Sequence, residues 1–362
     1  MKHSIKQIIT KEFKSLFVIK KTERLWHIPF LATLCTGIPL FVSLYSNNLQ
    51  SGLLACLAGL VILYLPAKSS LANRMLTLLV CSFGFMISFT VGVSFSFNPL
   101  VSAVVLGFFS VAVHWLTLYF KVNLPGSFFF IFIAAMASCM PFNPQAIPEK
   151  IGLIGLGTMF ACLLALCYSL LIKKIESSCE IAIPIVIVRN KDADFVEAFI
   201  VGTFVCGSLI IGHLFKIQNP YWIPVSCMAV IQGANLQHIW RRTFHRILGT
   251  FIGLGLCWIL LSISNTPLSI CISIILLQFI VEMLILRQYA LAVIFITPMT
   301  ILIAETANPI FHDSNHLIFV RFWDIVIGSG LGALCGWFIH HQKIRYLSLQ
   351  RFRKLKIAIK RR

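Results

Sequence analysis

Apolar runs of about 14–22 residues, each closed by a charge, proline, glycine or asparagine, follow one another along almost the whole chain. They fall near 28–46, 51–66, 76–96, 99–120, 126–141, 151–172, 198–215, 221–234, 247–264, 267–286, 288–304 and 318–339. A bilayer core takes roughly 20 apolar residues as a helix. The pattern therefore predicts an all-α polytopic membrane protein with twelve transmembrane helices. Hydrophobic residues make up 58% of the chain and charged residues 12%, against roughly 25% charged in a soluble domain. A soluble globular fold is excluded on that ground, and the short loops leave no room for a separate catalytic domain.

Lys and Arg number 30 against 12 Asp and Glu. In a soluble chain that excess would suggest nucleic acid, but here the placement of the cations carries the information, and no nucleic-acid partner is expected. Twelve crossings put 27 basic residues on one side and only Lys150, Lys216 and Arg321 on the other. Positive charge concentrates on the cytoplasmic side of membrane proteins, so both termini are expected inside a bacterial inner membrane. Lys20, Lys21 and Arg24 interrupt any cleavable leader pattern, and the first helix is expected to be retained. Within 1–26, Ile5, Ile8, Ile9, Phe13, Leu16 and Phe17 recur at helical spacing opposite lysines, which reads as an amphipathic helix on the anionic inner leaflet. The basic tail 341–362 suits the same surface.

The longest inner loop, 174–196, divides the chain into two sets of six runs, 27–173 and 197–340. The passage from Leu65-Pro66 to Arg74-Met75-Leu76 is echoed by that from Gln232-Gly233 to Arg246-Ile247-Leu248. An even number of crossings per half makes these two parallel six-helix repeats, a plan found in one class of transporters. Runs two and eight are short at matching places, and five and eleven are short too, with Pro66, Pro125, Pro141, Pro220, Pro224 and Pro298 at or inside them. Short, proline-interrupted segments point to a binding site near the midplane; kinked structural helices are the alternative.

Twelve cysteines occur singly in apolar or loop sequence with no CxxC pair, and read as small hydrophobes. His312, Asp313 and His316 have no further ligand at matching spacing, so neither a metal nor a cofactor is expected.

Three constellations carry chemistry. Arg242, Arg246, Gly249 and Gly253 share one helical stripe, two guanidinium groups beside a glycine groove that admits another helix or an extended ligand. Arginine grips carboxylates through paired hydrogen bonds; marking the cytoplasmic interface is the competing role. Arg321, Asp324, Gly328, Gly332 and Gly336 form a second stripe on the outer side, where the topology does not account for an arginine. Asp324 exchanging protons with the outside competes there with a plain i,i+3 salt bridge. Glu282 lies a few residues inside the membrane, where an acid is costly and is paired or functional, unless it snorkels to the interface.

The run NPYWIPVSCMAVIQGANLQHIWRRTFHRILGTFIGLG from Asn219 resembles the fusaric acid resistance protein-like (FUSC) family of bacterial inner-membrane proteins, which includes aromatic acid exporters. Pro220-Tyr221-Trp222, Gln232, Arg241-Arg242, Arg246, Gly249-Thr250 and Gly253 carry the likeness, with Glu282 to Arg287, Tyr289 to Ala292, Thr297-Pro298, Arg321, Asp324 and Gly328 further on. It is specific over about 220–332. Ser226 and Gly233 depart from the usual Thr and Pro, and the large cytoplasmic domain of many relatives is reduced to a loop. The resemblance implies export of aromatic or amphipathic organic anions, with Trp222, Gln232, Arg242, Arg246 and Arg321 along the substrate pathway. Glu282 and Asp324 are then the candidates for proton coupling.

No acid or histidine cluster, nucleophile motif or phosphate loop marks an enzyme, and none is expected. A proton-driven exporter with two rocking bundles accounts for the pattern. A passive anion channel with a basic-lined pore, as in the distantly similar plant aluminium-activated malate transporters, is the runner-up, and a non-transporting envelope-assembly protein a third class. A second copy of the chain, or a periplasmic adaptor, is a compatible protein partner.

Overall fold

The computed structural model describes residues 26–46, 48–66, 69–122, 124–175, 195–233, 235–263, 266–307 and 314–341. The amphipathic segment through residue 25, the linker 176–194, the tail from 342, and His312 with Asp313 lie outside the described residues.

Twelve α-helices and no strand occur among the described residues. They are α1 (His27–Tyr45), α2 (Leu49–Gly59), α3 (Leu71–Ser94), α4 (Pro99–Tyr119), α5 (Phe128–Ser138), α6 (Ile147–Ile175), α7 (Phe195–Leu214), α8 (Trp222–Ile231), α9 (Leu236–Ile263), α10 (Pro267–Leu284), α11 (Tyr289–Ala307) and α12 (Ser314–His340). A 3₁₀ turn, Leu60–Tyr64, extends α2. Eight helices are long and apolar enough to cross a membrane: α1, α3, α4, α6, α7, α9, α10 and α12. The shorter apolar ones are α2 with its extension, α5, α8 and α11, which are the runs whose lengths and prolines set them apart in the sequence. At 1.5 Å per residue, the 11 residues of α5 and 10 of α8 reach about 16 Å, roughly half the hydrocarbon thickness. The chain is a multi-pass helical membrane protein.

Local chemistry fixes where helices begin. Asn98 accepts hydrogen bonds from the backbone N–H of Leu100 and Val101 ahead of α4, and Thr266 forms a capping box with Ser269 ahead of α10. Both helices have proline in the first turn, where its missing N–H costs nothing. α9 starts at Leu236, well before the apolar run at 247, with Asn235 accepting from the His238 N–H. Arginine is a good helix former, so Arg241, Arg242 and Arg246 close an apolar run without breaking the helix. Arg74 sits in the first turns of α3 for the same reason.

The helices assemble into two compact units, each drawing on both halves of the sequence. The first comprises the described parts of Met1–Thr90, Asn143–Val186 and Phe244–Trp323; the second comprises those of Val91–Phe142, Ile187–Thr243 and Asp324–Arg362. In the first unit α1, α2 and α6 join α10 and α11 around Leu40, Leu53, Cys271, Ile274, Leu277 and Leu302. A Cβ placed on Gly157 of α6 would stand 2.5 Å from the Ala55 carbonyl of α2, and one on Gly37 of α1 would stand 3.1 Å from Ile275 of α10.

The second unit has the same plan. Here α7, α8 and the later part of α12 join α4 and α5 around Leu106, Ile131, Val201, Val205, Leu209 and Met228. A Cβ on Gly332 of α12 would meet the Cys227 carbonyl of α8 at 2.7 Å, and one on Gly107 of α4 would meet Cys206 of α7 at 2.7 Å. In each unit the sixth helix of one half lies on its own short second helix, and the first helix of that half lies on the fourth of the other. The short second helix also meets the other half's fifth, α2 with α11 and α8 with α5.

Candidate functional site

Among the described residues, four arginine or carboxylate side chains are buried within the apolar helices: Arg246, Glu282 and Arg321 at 6% exposure each, and Asp324 at 1%. Charges cost several kcal/mol there unless they are paired or lie along an aqueous pathway.

Three of the four lie in the first unit, and α11 organises two of them. Arg246 Nη1 of α9 donates to the Tyr289 hydroxyl at 3.1 Å, and Tyr289 is the first residue of α11. Arg321 Nη2 of α12 donates to Thr300 Oγ1 at 3.0 Å, while the Thr300 hydroxyl donates to the Thr297 carbonyl at 2.9 Å. The two arginine partners are thus 11 residues apart on one proline-bearing helix, or about 16 Å along its axis. Glu282 Oε1 accepts from Gln278 Nε2 at 3.4 Å one turn earlier on α10, and Gln288, just ahead of α11, is buried as well.

The glycine groove on α9 is filled by α11. A Cβ on Gly249 would stand 2.8 Å from the Ala290 carbonyl, and one on Gly253 would stand 2.6 Å from that of Ile294. Of the two occupants the spacing allowed, another helix is the one present.

In the second unit, Gln232 closes α8 and ties three segments together. Its Nε2 donates to the Pro125 carbonyl at 3.2 Å, its Oε1 accepts from Arg242 Nη2 at 3.3 Å, and its own carbonyl accepts from Arg242 Nη1 at 3.4 Å. Arg242 and Arg246 share a stripe, yet each has its own partner, Gln232 for one and Tyr289 for the other. Trp222 is buried on α8 with its ring beside those of Tyr221 at 4.9 Å and Phe132 at 6.0 Å. Gly328 and Gly332 of α12 press on α8, where added Cβ atoms would lie 2.5 Å from the Ile223 carbonyl and 2.7 Å from that of Cys227.

Sequence reasoning missed one cluster in the second unit. His114 Nδ1 lies 2.8 Å from Ser127 Oγ, and its Nε2 lies 3.7 Å from Glu197 Oε1. These residues come from α4, the start of α5 and the start of α7, so no local spacing joins them. The available signal was a histidine inside an otherwise apolar run. Tyr289 and Thr300 were likewise invisible as arginine partners. No group of three or more metal-ligating side chains occurs among the described residues.

Chemically, a guanidinium donates well to a carboxylate, and ionisable side chains inside membrane helices are where proton relays are built. Residues 205–335 match the sequence model of the family described as fusaric acid resistance protein-like. The Bacillus subtilis (strain 168) uncharacterized membrane protein YvaC is similar to this chain, with 34% identity over 120 residues, which covers 33% of this chain and 19% of that protein. No solved structure matches the chain. The stretch that carries Trp222, Gln232, the α9 arginines, Glu282, Tyr289, Arg321 and Asp324 is thus the part of this multi-pass membrane protein that is similar to the fusaric acid resistance protein-like family.

Proposed function

We propose that this protein is a secondary transporter of the bacterial inner membrane that exports aromatic or amphipathic organic anions, driven by the proton gradient, and not an enzyme. The observation that carries the reading is the burial of Arg246, Glu282, Arg321 and Asp324 inside apolar helices. Ionisable residues inside membrane helices characteristically mark substrate and proton pathways.

In this reading Arg246 and Arg321 hold the substrate carboxylate at successive stages, with Tyr289 and Thr300 as the neutral partners each arginine returns to. Trp222 offers an aromatic face to the organic part of the substrate, and Gln232 with Arg242 guards the cytoplasmic end. Glu282 and Asp324 carry the protons, Asp324 toward the outside. The common packing plan of the two units supports reading 27–173 and 197–340 as six-helix repeats, and the concentration of basic residues on one side supports cytoplasmic termini.

The test is flux in proteoliposomes holding the purified full chain, with labelled aromatic carboxylates as probes. Accumulation against a gradient only while protons flow supports the reading. Conductance without stoichiometric proton movement identifies a passive channel, and absence of flux across the carboxylate panel overturns transport of this class.

A further inference from the structure

α4 and α10 are the fourth helices of the two halves and are built alike: a polar cap residue, then proline, then an apolar helix. His114 lies 15 residues beyond Pro99, and Glu282 lies 15 residues beyond Pro267. The packing keeps the same register. Gly107, eight residues beyond Pro99, would meet Cys206 on the first helix of the other half, and Ile275, eight residues beyond Pro267, is what a Cβ on Gly37 would meet on the opposite first helix. The residue just ahead of the short fifth helix also corresponds, Ser127 before α5 and Gln288 before α11, and both are buried. His114 therefore occupies in the second unit the place that Glu282 occupies in the first.

We propose that His114, held between Ser127 and Glu197, is a further proton-binding site, the counterpart in one unit of Glu282 in the other. The inference rests on the transporter reading for its role in coupling, though not for the site itself. A neutral imidazole has a single N–H. A proton arriving from water forms the second, and both nitrogens then donate, Nδ1 to the Ser127 hydroxyl and Nε2 toward the Glu197 carboxylate. Release returns the proton to water and the ring to its neutral form.

The surroundings favour a titrating group over an inert one. His114 is 13% and Glu197 27% exposed, so the pair is not sealed inside the protein. Among the described residues, Glu197 from α7 faces it, the Cys335 thiol from α12 lies beside Glu197, and the segment leading into α5 contributes the Ser127 hydroxyl. His114 and Glu197 also come from different halves of the chain. Charging the imidazole thus draws α4 toward α7 inside the second unit, and a proton at this place acts on how the halves hold together.

The experiment uses the full chain in nanodiscs with nitrogen-15 in its histidines, the His114 signals being assigned as those missing from H114Q. The pH is scanned over the range a histidine switch spans, about 5 to 8, and the expected result is a protonation change in the His114 ring signals whose midpoint is altered in E197Q and in S127A. A His114 ring that stays neutral, or stays charged, across that window overturns the proposal, as does a midpoint indifferent to E197Q. In proteoliposomes, E197Q and H114Q are expected to lose part of the proton movement per anion while anion exchange continues. An unchanged proton-to-anion ratio in both variants overturns the coupling role. A wild type that moves no carboxylate overturns the transporter reading instead, and the histidine titration then stands or falls separately.

Discussion

α12 carries Gly328, Gly330 and Gly332 within five residues, and the structure assigns them opposite consequences. Alanine at Gly328 puts a methyl 2.5 Å from the Ile223 carbonyl oxygen and 2.6 Å from Ser226 Cβ, whereas ordinary contact begins at 3.4 Å. The overlap with the carbonyl is about 0.9 Å, and it is made with main chain, which has no rotamer to yield. Overpacking of this kind costs about 1–3 kcal/mol. At Gly330 an added Cβ meets nothing within 4 Å, so alanine there only gains helix propensity, about 1 kcal/mol. That gain is common to both sites, and the two variants are separated by the overpacking cost itself, about 1–3 kcal/mol. Equilibrium unfolding of the purified full chain in mixed micelles measures both, with G330A expected at or above the wild type and G328A clearly below G330A. Equal stability of the two variants would refute the close α8–α12 packing on which the plan of the second unit depends.

Other outcomes follow from the same geometry. Q232A removes an acceptor of Arg242 and the donor to Pro125, and is expected to destabilise the chain by about 1–2 kcal/mol in the same unfolding assay; Q232E, which keeps the acceptor, should lose less. Y289F takes away the hydroxyl that Arg246 holds at 3.1 Å, a charge-assisted bond worth about 1.5–3 kcal/mol, so its unfolding midpoint should fall while R246K recovers little of the wild-type behaviour. E282Q and D324N hold the neutral form permanently. Each is expected to abolish accumulation driven by a pH gradient in proteoliposomes while leaving carboxylate exchange, and survival of gradient-driven accumulation in both removes these acids from the coupling. A membrane-impermeant reagent applied from the periplasmic side should label a tag at neither terminus; labelling of either one reverses the orientation.

Much of the helix inventory was legible because the bilayer imposes it. An unpaired backbone group in hydrocarbon is so costly that apolar runs become helices, and capped starts such as Asn98-Pro99 and Thr266-Pro267 could be read directly. Starts defined by charge were less legible. α9 begins at Leu236 because arginines end an apolar run without ending a helix, a distinction hydropathy does not make. The glycines of α9 and α12 were legible as grooves by their spacing, but not the helices that fill them, α11 and α8.

The sequence by itself determined that this is a multi-pass helical membrane protein, which helices are short, and which few ionisable residues lie where lipid would penalise them. Composition and period suffice for that, because each statement concerns one segment and its solvent. Only the tertiary structure decided the company those residues keep: Tyr289 for Arg246, Thr300 for Arg321, Gln232 for Arg242, and Glu197 with Ser127 for His114. It also decided that each compact unit draws helices from both halves. Side-chain partners between helices depend on rotation and register, set by close packing among segments far apart in the chain, and an apolar helix bears no mark of its neighbour until the two are packed.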